Sequence, residues 1–267
     1  MIDLDKYFER INYMGSTDVS YETLRNIHKA QAFSIPFENL AIHDTSSDPE
    51  DLIKLDEKSL FEKIIENKRG GWCHELNELL ALVLIQLNFK VKRLLGSVPP
   101  SNGTHKCLLV TIGNNKYLAD TGFGGNCIIE PLPLITDTPF KQFSETFKLM
   151  LEHPRSEEIE EYVLYVFIKE NWSKLYSFTL TTRLPEDFDQ FNYFTSHSKK
   201  SVFLQNRIAT RPTPEGRIIL HNHNLKIRRN GHQETITVTE EEYLSILDEY
   251  FGLKFPPFTI FKPILIK

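Results

Sequence analysis

The stretch from Leu76 to Leu87 constrains this chain more than any other. Its apolar residues fall on nearly every face of the helix that the pattern predicts, so that helix has to be the buried one. The longest apolar run inside it, Leu79 to Ile85, is too short to span a bilayer. Two further helices are predicted upstream. Tyr21 to Ala32 follows the cap residues Asp18 to Ser20 and sets Leu24, Ile27, His28 and Gln31 on one face. Pro36 ends it, because proline removes a donor and pushes Ile35 out of helical geometry. Leu60, Phe61, Ile64 and Ile65 form a second amphipathic helix, broken by Arg69-Gly70-Gly71.

After Asn88 the pattern becomes short and β-prone. Strands are predicted over Val91–Val98, Cys107–Ile112, Lys116–Ala119, Phe147–Leu151, Tyr162–Lys169 and Lys174–Thr182. Gly113-Asn114-Asn115 reads as a hairpin turn, and Pro99-Pro100-Ser-Asn-Gly103 as another turn. Asp187 to Ser198 reads as helical, and Arg217–Leu220 and Leu225–Arg229 as strands. Thr239 to Phe251 opens with a Thr-x-x-Glu capping box and closes at Gly252. Helices first and strands later predict an α+β chain. At 267 residues, with 40% hydrophobic and 25% charged, it can bury a full core without a disulfide or metal staple.

A net charge of −5 with no basic stripe argues against nucleic acid as the partner. The start, Met1 to Arg10, lacks the basic-then-apolar pattern of a signal peptide, so a cytoplasmic protein is expected. Three cysteines, Cys73, Cys107 and Cys127, without CxxC spacing predict free thiols. His74-Glu75 does not make HExxH, because residue 78 is Glu, and His221 with His223 makes only two lone ligands; no metal is expected.

Cys73 follows two glycines and falls in the first turn of the buried helix. Unpaired N–H groups and the helix dipole favour an anion there, which suits a thiolate. An inert buried cysteine is the other reading of that position. A nucleophile needs a base and the base an orienting acceptor. His105 starts one strand of the predicted hairpin and Asp120 ends the other, so antiparallel pairing brings them together. The order Cys, His, Asp is that of papain-like thiol chemistry. Thr121-Gly-Phe-Gly-Gly125 follows directly, either as a tight turn or as a cradle for phosphate oxygens.

Four segments in order carry a family resemblance: Ile35-Pro-Phe-Glu-Asn-Leu40, Arg69-Gly-Gly-x-Cys73-x-Glu-x-Asn77, His105, and Leu118-Ala-Asp-Thr-Gly-Phe-Gly124. They resemble the arylamine N-acetyltransferases, and the later Asp189, Asn192, Ser201 and Phe203 extend the similarity. Within it, Trp72 and His74 flank the cysteine, Gln31 stands where many members have histidine, and Lys106 and Cys107 replace apolar residues.

The resemblance implies an N-terminal helical bundle (1–88), a β-barrel (89–195) and a C-terminal α/β lid (196–267). It implies a papain-like core in which Cys73, His105 and Asp120 are catalytic. It implies acetyl-CoA as donor, arylamines or hydrazines as acceptors, and an acetyl-cysteine intermediate with ping-pong kinetics. Gly103, Thr104, Gly122, Gly124 and Gly125 are then expected to face coenzyme A, and Phe37, Phe123 and Phe203 to wall the acceptor pocket. A related thiol enzyme, such as an amide synthase, transglutaminase or cysteine hydrolase, would share the three residues; water access to the acyl-enzyme separates hydrolysis from transfer. Arg69 and Glu38 are expected to form a buried ion-pair fork between the Pro36 loop and the cysteine loop.

Overall fold

The structure, a computed structural model, describes residues 1–48, 53–99, 104–152 and 160–264. Gly103 and most of the Pro99–Gly103 turn lie outside the described residues.

The buried helix is α4 (Cys73–Gln86), with 11 of its residues buried, from Cys73 to Leu84. Around it pack α1 (Leu4–Arg10), α2 (Tyr21–Ser34) and α3 (Glu57–Leu60), the last running on as a π-helical turn, Phe61–Glu66. Ser20 caps α2 through the Thr23 N–H, and Ile35 leaves it in extended geometry ahead of Pro36, as the proline requires. The helix α1 has no counterpart in the sequence expectations. Seven residues give too few turns for a periodic signal, and Asp3 caps it only locally.

Eight strands make one antiparallel sheet in the order β5-β4-β3-β2-β9-β8-β7-β6. They are β2 (Lys90–Ser97), β3 (His105–Ile112), β4 (Asn115–Ala119), β5 (Leu132–Pro133), β6 (Phe140–Gln142), β7 (Glu145–Glu152), β8 (Glu161–Ile168) and β9 (Asn171–Thr179). The sheet curls into a near-barrel, because side chains from both halves share one core: Leu94, Cys107, Leu109 and Leu118 meet Phe147, Leu149, Leu164 and Val166.

Strand β3 lies between that core and the helices. Cys107 and Leu109 enter the barrel core, whereas Leu108 and Val110 join α4 in the helical core. The same period of two sends Lys106 to the helix side, where its Nζ meets Glu78 of α4 at 2.9 Å. Arg93 grips the same carboxylate with three hydrogen bonds of 2.6–3.1 Å. A charged residue at an expected apolar position is thus tolerated because its ammonium meets a carboxylate and lies over the Phe188 ring at 4.1 Å.

A second, five-stranded sheet runs β1-β10-β11-β12-β13: β1 (Phe37–Glu38), β10 (Ile208–Thr213), β11 (Gly216–His221), β12 (Asn224–Arg229) and β13 (His232–Thr237). It packs on α7 (Glu240–Phe251). Three of its strands, β1, β10 and β13, escape the sequence pattern, and β1 is only two residues long. Pro212 sits in β10, a residue usually confined to edges; β1 pairs only with Ala209 and Thr210, so Pro212 has no strand on that side. Most of β13 is exposed, so it lacks alternation.

Candidate active site

Cys73 occupies the first turn of α4, and its approach is set by close packing. Gly71 N donates to Pro36 O (3.3 Å) and Glu38 N to Gly71 O (2.9 Å), so the glycine loop runs beside β1. A Cβ on Gly70 would fall 2.2 Å from Pro36 O, which only glycine avoids. Glu75 closes half of a capping box by accepting from Trp72 N at 3.1 Å, and Lys63 pairs with it at 2.6 Å. Glu75 N and Leu76 N donate to Trp72 O at 3.1 and 2.9 Å, so of the first turn only the Cys73 and His74 N–H groups are of the kind a helix start offers to an anion.

Arg69 anchors the same loop. Its Nε and Nη2 donate to Glu38 Oε1 at 3.1 and 2.7 Å, while Glu38 Oε2 accepts from Leu40 N at 2.6 Å. The expected pair forms with Glu38 fully buried and Arg69 only partly so, and it is not a fork onto two oxygens: the backbone of Leu40 takes the second one. The guanidinium also stacks over Phe255 at 4.0 Å.

His105 and Asp120 come together through the β3–β4 hairpin, which turns at Gly113-Asn114 between paired Ile112 and Asn115. His105 Nε2 lies 2.7 Å from Asp120 Oδ2. The other ring nitrogen, Nδ1, takes no part in that bond, and the Cys73 thiol acts on the same imidazole, favouring its charged form. Cys73 Sγ also lies 3.9 Å from Thr104 O.

Burial disfavours the charged ring of His105, yet the Asp120 charge and hydrogen bond, helped by Cys73, overcome it and raise its pKa to about 10. Burial likewise pushes Asp120 up, but His105, Asn77 and Tyr176 outweigh that and hold it below the ordinary range.

Three residues around Asp120 carry no role in the sequence reading. Tyr176 OH donates to Oδ2 at 2.8 Å, and Asn77 Nδ2 to Oδ1 at 2.8 Å. His28 Nε2 accepts from Asp120 N at 2.9 Å; burial holds His28 down at about 4, so it is the neutral acceptor this bond needs. Asn77 lies in the cysteine motif and was within reach of spacing. Tyr176 arrives from a strand 56 residues away, with no local signal. Gln31 fills its place by donating to Leu76 O (2.9 Å) and Thr121 Oγ1 (2.7 Å) and accepting from Tyr7 OH (2.7 Å).

Cys73 and His105 open on a cleft of about 340 Å³ whose walls include Phe37, Phe123, Phe194, Phe203, Val98 and Val202. Phe37, Phe123 and Phe203 thus sit together around the thiol. Thr104, Gly122 and Gly125 also line it. Gly122 N is spent on Asp120 Oδ1 (3.0 Å) and Gly125 N on Phe123 O (3.2 Å), so neither is free for a phosphate. Gly122 instead presses on Cys73: a Cβ there would lie 2.7 Å from its Cα. Gly124 lies against the Phe37 ring, with its carbonyl taken by Thr210 Oγ1 at 2.6 Å.

Cys107 and Cys127 are buried free thiols without a histidine partner of this kind: Cys107 packs in the barrel core with Tyr176, Cys127 Sγ accepts from Arg217 Nη1 at 3.2 Å, and burial raises the pKa of both. His223 pairs with Glu240 at 3.0 Å. Among the described residues no cluster of three or more His, Cys, Asp or Glu is poised for a metal, and no helix is long and apolar enough to cross a membrane.

A cysteine at a helix start, a histidine on the adjoining strand and a carboxylate behind it, under a helical bundle and a curled sheet, define the papain-like class of thiol enzymes. A family model described as N-acetyltransferase matches residues 20–258. An arylamine N-acetyltransferase of Escherichia coli (strain K12) is 32% identical over 260 residues, covering 94% of this chain and 88% of the relative. Arylamine N-acetyltransferase 2 of Mus musculus is 33% identical, covering 94% of each chain. The solved arylamine N-acetyltransferase from Salmonella typhimurium superposes with a TM-score of 0.86 at 30% identity, covering 96% of this chain and 94% of that one. The Mycobacterium marinum enzyme in complex with CoA gives 0.83 at 31% identity, covering 94% and 93%. The chain belongs to the arylamine N-acetyltransferase family.

Proposed function

We propose that this protein transfers the acetyl group of acetyl-CoA to the nitrogen of arylamines or arylhydrazines, with Cys73 as nucleophile, His105 as acid and base, and Asp120 as its orienting partner. One observation carries the reading: the thiol and its imidazole face an aromatic-walled cleft large enough for a small ring.

His105, kept protonated by Asp120, pairs with the Cys73 thiolate. The sulfur attacks the thioester carbonyl, and first-turn N–H groups of α4 stabilise the oxyanion. Coenzyme A leaves with the proton from His105, and acetyl-Cys73 remains. The neutral amine then attacks the acetyl carbon. His105 takes its proton, the C–S bond breaks, and the thiolate–imidazolium pair is restored. One sulfur thioester replaces another in the first half, so that step is near balance; amide formation in the second is downhill. Tyr176 and Asn77 saturate Asp120, which keeps the carboxylate ionised and aimed throughout.

Thr104, Gly122 and Gly125 mark the donor's path. With their N–H groups spent, Gly122 and Gly125 supply close approach rather than phosphate donors. Gly124 is assigned to the donor with them, and Gly103, outside the described residues, keeps only the role that the resemblance implies. The domain division at 88/89 and 195/196 and a cytoplasmic location complete the proposal.

The test is coenzyme A release from acetyl-CoA. One equivalent per chain without amine, and continuous release with an arylamine, is expected. Continuous release without amine would indicate a thioester hydrolase, and no release at all would refute the reading.

A further inference from the structure

Asn192 lies on α5 (Asp189–His197) and reaches the residues on both sides of Cys73. Its Oδ1 accepts from Trp72 Nε1 at 3.1 Å and lies 3.3 Å from His74 Nδ1. Its Nδ2 donates to Ile53 O at 2.9 Å. An indole N–H can only donate, so the amide orientation is fixed, and His74 Nδ1 must carry its hydrogen. Burial keeps the His74 ring neutral, holding it down at about 3. Trp72 and His74 are 1% and 0% exposed and Asn192 only 7%, so the two contacts of Oδ1 form away from water.

What Asn192 holds in place is the far wall of the cleft. Phe194 and Thr195, two and three residues further along α5, line the cleft. Val202 and Phe203 line it from α6 (Val202–Gln205), and Trp72 packs against Phe203 at 5.8 Å between ring centres. The two residues beside the nucleophile therefore set where this wall stands.

We propose that Asn192 is a positioning residue for the acceptor: with Trp72 and His74 it latches α5 to the start of α4 and so fixes the aromatic wall against which the arylamine ring lies. The inference rests on the acetyl-transfer reading above. Donor and acceptor should feel the latch differently. Coenzyme A spreads its contacts over a long molecule, whereas an arylamine has few atoms and takes its binding from the wall alone.

Ping-pong kinetics separate the two, since kcat/KM for each substrate reports its own half-reaction. Asn192→Leu removes both acceptor contacts at similar size; Asn192→Asp keeps an oxygen for Trp72 and His74. For Asn192→Leu, kcat/KM for the arylamine is expected to fall about tenfold or more through KM, with coenzyme A release from acetyl-CoA within about twofold of the unaltered rate. Asn192→Asp should recover most of the loss. Equal losses in both half-reactions, no loss in either, or an aspartate no better than leucine would overturn the proposal. Should Asn192→Leu fail to fold, Trp72→Phe removes one donor alone, and the same split is expected or the latch is wrong. A missing release of coenzyme A in the unaltered protein would instead refute the transfer reading itself.

Discussion

Arg69→Ala should unfold this protein more readily without touching a reacting atom. Glu38 has no exposed side-chain surface and Arg69 only 16%. The substitution deletes two charge-assisted hydrogen bonds to one carboxylate oxygen and the stack on Phe255. It leaves a buried carboxylate with the Leu40 N–H and the more distant Lys63 charge. Stranding one member of a buried pair costs roughly 3–5 kcal/mol. For a chain of this size each kcal/mol moves Tm by about 2–4 °C, so a drop of about 6–20 °C is expected.

The pH dependence makes this specific. Burial pushes Glu38 up, but Arg69 and then Lys63 and Leu40 hold it below the ordinary range. A depressed carboxylate stabilises the fold above its unfolded pKa, about 4.3, and that stability is lost as pH falls through the folded value. Without Arg69, burial wins and the carboxyl is driven upward, so the variant gains from protonation where the unaltered protein loses. The deficit should therefore shrink between pH 7 and pH 4. Adding Glu38→Gln to Arg69→Ala should recover part of the loss at neutral pH. Urea melts of the two single variants and the double variant measure the coupling directly. A Tm shift below about 2 °C, or a deficit independent of pH, would refute the anchor.

Cys73→Ala should abolish acetyl transfer, while Cys107→Ala and Cys127→Ala retain it; a release assay on the three variants decides. Asp120→Asn offers His105 Nε2 the wrong partner, and turnover should fall by about 10⁴, as in related triads, with slower alkylation of Cys73 near neutral pH. Urea stability should peak near pH 6.5. Buried His28, held near 4, and His74, held near 3, bind protons mainly when unfolded, so stability rises from about pH 4 to 6.5, by on the order of 3 kcal/mol for His28 alone. His105, raised to about 10, stabilises fully below 6.5 and loses that contribution as pH rises toward 10. A stability that climbs steadily from pH 6.5 to 9 would contradict these assignments.

What the sequence disclosed and what it hid divide along physical lines. Cys73, His105 and Asp120 were legible because each is fixed by local chemistry: a glycine break, a helix start and a short hairpin whose turn sets the register. Phe37 and Phe203 were legible only through the family resemblance, since nothing in their spacing brings positions 37 and 203 to one ring contact at 6.0 Å. The partners of Asp120 other than His105 were hidden for the same reason. Tyr176 reaches it because β9 pairs with β2 and β2 with β3, a closure no local pattern encodes. Lys106 shows the converse. Its charge looked out of place in an apolar strand until the period of two put it opposite Glu78, a charge on the helix whose apolar faces first marked it as buried. A buried lysine, a buried glutamate and Arg93 make sense only as a set, and a set drawn from one helix and two strands becomes readable only once those elements have been packed.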